Sequence, residues 1–403
     1  MNSLLVNANQ RFLFSMDEIF TKSYQVIFEP WTHLSWWEFM KLSKLLSHLI
    51  CPRCNNDFRL DSLEVLSKKG NEETYGWLAC EDCNSLYPLT NSIISLLIEF
   101  DHDDPAIRDM ASFLNENQIE SEPYFRRVNF RATPTKKKSA KFDWNQAYEI
   151  SYESNSRDLM QLPLNFKNPL LYFINKFIRN YGEKEKRIIE VGIGTGNFAL
   201  PLAFRFDVFG LDYSYTALRI LHQRAKEYRI ADKVGVVRAD LFRIPFKPVF
   251  THVLSLGLIE HFRNPIKSLL QHKKLCKESG FLFVDVPNSQ GIWMKIYALK
   301  RRIEQKNGTW RLGLEYSFSI ETLSDFLIRS GFKVLESFAT GYRLAVGSAF
   351  SLNATKIPEK LLKFVFGFLF IVTTSLSRYL DDQKEYKYGF YSIVIGKMAV
   401  SKK

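Results

Sequence analysis

Two groups of residues in this sequence have the types and spacing to do chemistry. The first is four cysteines, set as C-P-R-C (Cys51, Cys54) and C-E-D-C (Cys80, Cys83) with residues 55–79 between them. A C-x-x-C knuckle aims two thiolates at one point, so two knuckles at this distance predict a four-cysteine site for Zn2+, a zinc ribbon. An iron site and a dithiol pair are the alternatives. Four thiolates close the coordination shell, which makes such a metal structural. It stands in for a core that about 50 residues cannot build alone. The fifth cysteine, Cys276 in "QHKKLCKESG", reads as a buried thiol on a helix.

The second group is the loop in "RIIEVGIGTGNFALPL", residues 187–202. Ile188 to Val191 reads as a buried strand and Asn197 to Phe204 as the start of a helix, with Pro201 early enough to be tolerated. Gly192, Gly194 and Gly196 between them allow a tight turn and close approach of the backbone to a ligand. The helix then points free N–H groups at that ligand. The spacing is G-x-G-x-G, whereas a dinucleotide fingerprint is G-x-G-x-x-G. Glu190, just before the loop, suits a cationic ligand better than a pyrophosphate. Two further acids end the next two apolar runs, Asp212 in "FGLDYS" and Asp240 in "VVRADLFRIPF".

These residues need a scaffold, and the pattern supplies one. From about Lys141, short apolar runs ("RIIEVGI", "DVFGLD", "VGVVRAD", "THVLSLG", "GFLFVDVP", "FKVLESF") alternate with helical patterns such as "YTALRILHQRAKEYRI". That alternation predicts βαβ units and a parallel sheet covered on both faces. A final alternating run, "GFYSIVIGKM", closes the chain. Residues 1–50 form an aromatic-rich helical segment around "SWWEFMKLSKLLSHLI", and residues 51–100 hold the ribbon. Residues 101–140 turn polar and end in "RATPTKKKSAK", which predicts a linker. With 403 residues the chain suits two or three domains, and 46% apolar residues can build a sizeable core. The net charge of +12 favours a polyanion or an anionic membrane surface as neighbour. The N-terminal stretch lacks the pattern of a signal peptide, and the cysteines are too few for a disulfide scaffold. A reducing cytoplasm is the expected setting.

With E-x-G-x-G-x-G, Asp212, Asp240-Leu241 and "SLGLIEHF" in view, residues 141–403 resemble the class I S-adenosylmethionine-dependent methyltransferases. The resemblance implies an α/β fold with a Rossmann-like seven-stranded sheet, here preceded by the four-cysteine zinc ribbon. It lays the Gly192–Gly196 loop along the methionine part of S-adenosyl-L-methionine. It gives the ribose hydroxyls to Asp212, sets Tyr213 beside the adenine, and has Asp240 and the Leu241 backbone read the adenine edge. One departure is Thr251 after Phe250, where the family often has Asp. Glu260 and His261 follow the fourth strand, on the side of the transferred methyl. They resemble a Glu-His pair of quinone-biosynthesis methyltransferases: either His261 acts as a general base, or Glu260 and His261 orient the acceptor. The Asn/Asp-Pro-Pro-aromatic signature of enzymes that methylate nucleic-acid amines is absent.

The ribbon resembles small zinc proteins that partner RNA and protein methyltransferases, and the front of some ribosomal-RNA guanine methyltransferases. As a separate module, its loss is expected to spare cofactor binding more than acceptor binding. Lid inserts are expected at 288–318 and 342–388, with Trp310 to Phe318 covering the substrate. The uncharged run from Phe364 to Ser377 is shorter than the ~20 residues of a membrane span. A helix at 361–380 is therefore expected as a lid or as an interfacial, membrane-associated element. The expected activity is methyl transfer to a small-molecule or lipid-like acceptor. Methylation of ribosomal or transfer RNA through the ribbon is the second reading, and a non-catalytic scaffold the third.

Overall fold

The computed structural model describes residues 36–69, 73–131, 143–149, 169–182, 184–291, 294–306, 314–340 and 389–399. The strands are β1 (Leu63–Lys69), β2 (Glu73–Cys80), β3 (Ser85–Thr90), β4 (Ile93–Leu96), β5 (Ile188–Val191) and β6 (Val208–Asp212). They continue with β7 (Val234–Ala239), β8 (Phe250–Leu256), β9 (Cys276–Pro287), β10 (Phe332–Thr340) and β11 (Tyr391–Met398). All eleven join one sheet in the order β1-β2-β3-β4-β7-β6-β5-β8-β9-β11-β10. Pairing is parallel from β4 through β7, β6, β5 and β8 to β9, and antiparallel at both ends.

The sheet expected to have seven strands therefore has eleven. The cause is the edge of β7, which β4 occupies through Ile94↔Val237, Ser95↔Arg238 and Leu96↔Ala239. An unpaired sheet edge is a template for a further strand, and the cysteine-bearing hairpins fill it. Asn91 and Ser92, both at positive φ, make the two-residue turn that brings β3 back as β4.

The expected linker is also different in fact. Helix α2 (Pro105–Glu116) starts on the Asp104 side chain, which accepts from the Ala106 N–H, and buries Ile107, Met110, Phe113 and Leu114. Helix α3 (Glu122–Phe125) follows, and Tyr124 stacks on the buried Trp77 at 5.5 Å. Helix α1 (Trp36–Leu46) packs Leu45 into the same core as Phe209 of β6.

The remaining helices are α4 (Pro169–Asn180), α5 (Ala199–Ala203), α6 (Tyr215–Glu227), α7 (Pro265–Leu275), α8 (Met294–Lys306) and α9 (Ile320–Arg329). The two sheet faces separate cleanly. Ile189 and Val191 of β5 join the core with α1, α7 and α9, whereas Ile188 joins the core with α4, α5 and α6. Side chains alternate along a strand. Glu190, Asp212 and Asp285 thus fall on the α4–α6 face, each at or near the carboxyl end of its strand. Cys276, expected on a helix, instead caps α7 and begins β9; it is buried, as expected. The segment 342–388, with the helix expected at 361–380, lies outside the described residues. Among the described residues no helix is long and apolar enough to cross a membrane.

Candidate active site

The parallel strands order on either side of β5, with β6 and β7 to one side and β8 and β9 to the other. Ligands in open α/β sheets bind at such a switch point, outside the carboxyl ends of the strands. Glu190, the glycine loop, Asp212, Asp240, Glu260 and His261 lie at or just after the carboxyl ends of β5, β6, β7 and β8.

The loop after β5 holds Gly192, Gly194 and Gly196 at φ values of +71°, +52° and +78°. A side chain at Gly194 would also meet the Tyr148 hydroxyl, 2.8 Å from its Cβ position. The Gly194 N–H donates to Asp212 Oδ2 at 2.8 Å, and the Ser214 N–H donates to Asp212 Oδ1 at 2.8 Å. Burial raises the Asp212 pKa, while these backbone donors and Arg238 act to lower it. A carboxylate has about four acceptor positions, so two remain for a ligand. Tyr213 is 38% exposed beside it, and its carbonyl accepts from Arg238 Nε at 3.0 Å. Asp240 follows β7 and accepts the Phe242 N–H at 2.9 Å, with Leu241 buried next to it.

Glu190 lies beneath the loop, 2% exposed, and its Oε2 has no hydrogen-bond partner. Burial, and then the neighbouring Asp285, push its pKa well above the usual carboxylate range. Glu260 and His261 stand in the turn after β8. Glu260 is 3% exposed with Oε2 unpartnered, and burial raises its pKa in the same way. His261 Nδ1 lies 2.6 Å from the Leu314 carbonyl, which can only accept. The proton therefore sits on Nδ1, and Nε2 of the neutral ring keeps its lone pair. Burial lowers the His261 pKa, which favours that neutral form.

Two features escaped the sequence reading. A short helix over 144–149 covers the glycine loop: Tyr148 meets Gly194, Asn145 Oδ1 accepts from the Ser214 hydroxyl at 2.9 Å, and the Trp144 ring meets His261 edge-on at 5.0 Å. Its signal was present in "DWNQAYE", where Asp143 caps the N–H groups of Asn145 and Gln146. Asp285 on β9 is 2% exposed with Oδ1 unpartnered, and burial raises its pKa to about 8. The stretch 314–318, part of the cover expected over 310–318, runs along the same end, with the Tyr316 N–H on the Glu260 carbonyl at 2.9 Å and the Phe318 N–H on the Pro287 carbonyl at 2.9 Å. Glu315 in that stretch accepts from the Tyr297 hydroxyl at 3.0 Å. Of the expected cover, 310–313 lies outside the described residues.

The four cysteines meet at the far end of the N-terminal hairpins. Their Sγ atoms all lie within 4.8 Å of one another, with Cys51–Cys83 at 3.6 Å and Cys54–Cys80 at 3.5 Å. Tetrahedral zinc with Zn–S bonds of about 2.3 Å needs sulfurs about 3.8 Å apart, so the donor set fits the ion.

The sequence is 26% identical over 117 residues to an uncharacterised protein of Methanocaldococcus jannaschii, covering 29% of this chain and 52% of that one. It is 27% identical over 74 residues to the demethylmenaquinone methyltransferase of Lactiplantibacillus plantarum, covering 17% and 31%. The chain thus spans about half the length of the first relative and less of the second. An S-adenosylmethionine-dependent methyltransferase from Thermotoga maritima superposes with a TM-score of 0.42 at 19% identity, covering 63% of this chain and 99% of that one. Residues 167–337, from α4 through most of β10, match the family model of a methyltransferase domain.

Proposed function

We propose that this chain transfers a methyl group from S-adenosyl-L-methionine to a small-molecule or lipid-like acceptor. The observation that carries the reading is the glycine loop itself. Three left-handed glycines are locked to Asp212 through the Gly194 N–H, next to the unpartnered carboxylate oxygen of Glu190. A buried, unpaired carboxylate is costly unless a cation meets it. Bound there, the cofactor supplies an electrophilic methyl group on a sulfonium.

The chain's own residues then have distinct tasks. Gly192, Gly194 and Gly196 let the backbone approach the ligand. Asp212 offers its two remaining acceptor positions to a diol, with the exposed Tyr213 ring beside it. Asp240 and the Leu241 backbone border the same rim. Glu260 and His261 face the acceptor, and His261 Nε2 carries the free lone pair of the neutral ring, the atom able to take a proton. The helix over 144–149 and the stretch 314–318 exclude water, which strengthens each of these interactions. Cys51, Cys54, Cys80 and Cys83 hold a structural Zn2+ that fixes the hairpins.

Incubation of the protein with methyl-labelled S-adenosylmethionine and separated RNA, lipid and metabolite pools tests the reading. Label in lipid or metabolite is the expected result. Label in RNA alone favours the second reading, which the net charge of +12 supports. No transfer to any pool, with the cofactor bound, favours a scaffold.

A further inference from the structure

Three carboxylates crowd the α4–α6 face at the strand ends: Glu190 on β5, Glu260 after β8 and Asp285 on β9. Each is at most 3% exposed, and each keeps one buried oxygen with no hydrogen-bond partner. Asp285 acts electrostatically on both Glu190 and Glu260. Tyr391 of β11 feels Asp285, Glu260 and Glu315 together. Beyond Glu260, Glu315 has its own partners, the Tyr297 hydroxyl and Arg301 at 4.0 Å, both from α8.

A divalent ion does not explain the group. Among the described residues, only the four cysteines bring three or more ligand atoms within 4.8 Å of one another. The acids are buried, each with one open oxygen, and do not converge on one point, which suits an organic cation with several N–H donors. The cofactor's methionine part carries its two cationic groups, the sulfonium and the ammonium, and the glycine loop holds that part on the Glu190 side. Glu260 and Asp285 then remain, on the side of His261 and the 314–318 stretch. A hydroxyl acceptor would donate one hydrogen bond and neutralise neither. An ammonium carries three N–H donors and a full charge.

We propose that Glu260 and Asp285 form the pocket for a protonated amine on the acceptor, and that Asp285 takes its proton. This rests on the methyl-transfer reading. In the empty site Asp285 is neutral; the arriving ammonium favours its ionised form, and the displaced proton leaves to solvent. An ammonium N–H proton then passes to Asp285 Oδ1, leaving a neutral amine and a neutral carboxylic acid. The nitrogen lone pair so released is the nucleophile for methylation. The raised pKa of Asp285, about 8, places this exchange within reach of an amine held in a dry site.

The test is equilibrium binding by calorimetry to the full-length protein, with and without saturating S-adenosylhomocysteine. The probes are a series of primary alkylamines and arylalkylamines, each paired with the alcohol of the same skeleton. Amines binding at least tenfold tighter than their alcohols are expected. Asp285→Asn and Glu260→Gln keep the side-chain shape; each is expected to lose that preference while S-adenosylhomocysteine affinity changes less than threefold. Three results overturn the proposal: no amine preferred over its alcohol, preference retained in both variants, or equal losses of amine and S-adenosylhomocysteine affinity in Asp285→Asn. The last result would assign Asp285 to the cofactor. Failure of S-adenosylhomocysteine to bind the wild type would instead strike at the methyl-transfer reading, and the cofactor-free titrations would still judge the amine pocket.

Discussion

Asp104 and Arg238 form a two-pronged buried ion pair, Nη1–Oδ1 at 2.6 Å and Nη2–Oδ2 at 2.8 Å, with side chains 9% and 2% exposed. Asp104 caps the helix that follows the cysteine hairpins, while Arg238 lies on β7 and reaches on to the Tyr213 carbonyl. One carboxylate thus ties the N-terminal module to the rim of the cofactor site. The Tyr215 hydroxyl adds a second tie, to Thr90 at 2.7 Å and Asp109 at 3.0 Å. The expectation that the ribbon is a separable module does not survive this geometry.

Asp104→Ala leaves a buried guanidinium unpaired. A loss of about 3–5 kcal/mol in unfolding free energy is expected, measurable by urea titration. Cofactor affinity should fall with it, because Arg238 no longer holds the Tyr213 turn. A mutant with unchanged stability would show that the pair is worth nothing.

Asp212→Ala removes the acceptor of the Gly194 and Ser214 N–H groups as well as two acceptor positions for the ligand. The expected cost to cofactor binding is on the order of 1–3 kcal/mol. Calorimetry on the folded variant reads it directly.

The strands were legible in the sequence because their apolar runs are nearly continuous, as "THVLSLG" is in β8, where every residue from Phe250 to Leu256 is buried. The ends of α9 rest on equally local chemistry: the Ser319 side chain accepts the Thr322 N–H, and Gly331 sits at φ +87°. Two things were not legible. The pairing of β4 with β7 joins residues far apart in the chain, and nothing local encodes that register. Asp285 sits inside "GFLFVDVP", a run apolar on both sides of the acid, so its alternation onto the ligand face could not be read. By contrast, the helix in the supposed linker was readable. Ile107, Met110, Phe113 and Leu114 recur at helical spacing, and the polar composition around them masked it.

The raised pKa of Asp285 sets a pH dependence. Its folded-state pKa of about 8 exceeds the unfolded value near 3.9, so the folded form binds the proton more tightly. Stability from this group is fully present below about pH 4 and is lost as pH rises through 8. Asp285→Asn, which cannot ionise, should therefore melt higher than the wild type at pH 8–9 and close to it at pH 4. Equal melting temperatures at both ends would mean that Asp285 is not held neutral in the fold.

One zinc ion per purified chain is expected by metal analysis, and a Cys80→Ser/Cys83→Ser variant should lose it. Because the hairpins continue the central sheet, chelation should lower both the melting temperature and the cofactor affinity. A zinc-free wild type, or full zinc in the variant, would contradict the assignment of the four thiolates to one metal.

The most direct test of the central claim is titration of S-adenosylmethionine into the wild-type protein and into Gly194→Val, followed by calorimetry. Valine at φ +52° is strained, and its Cβ would stand 2.8 Å from the Tyr148 hydroxyl. One cofactor bound per wild-type chain, with affinity reduced at least tenfold in the variant, is the result predicted. A wild type that binds no S-adenosylmethionine but binds a nicotinamide dinucleotide would contradict the account.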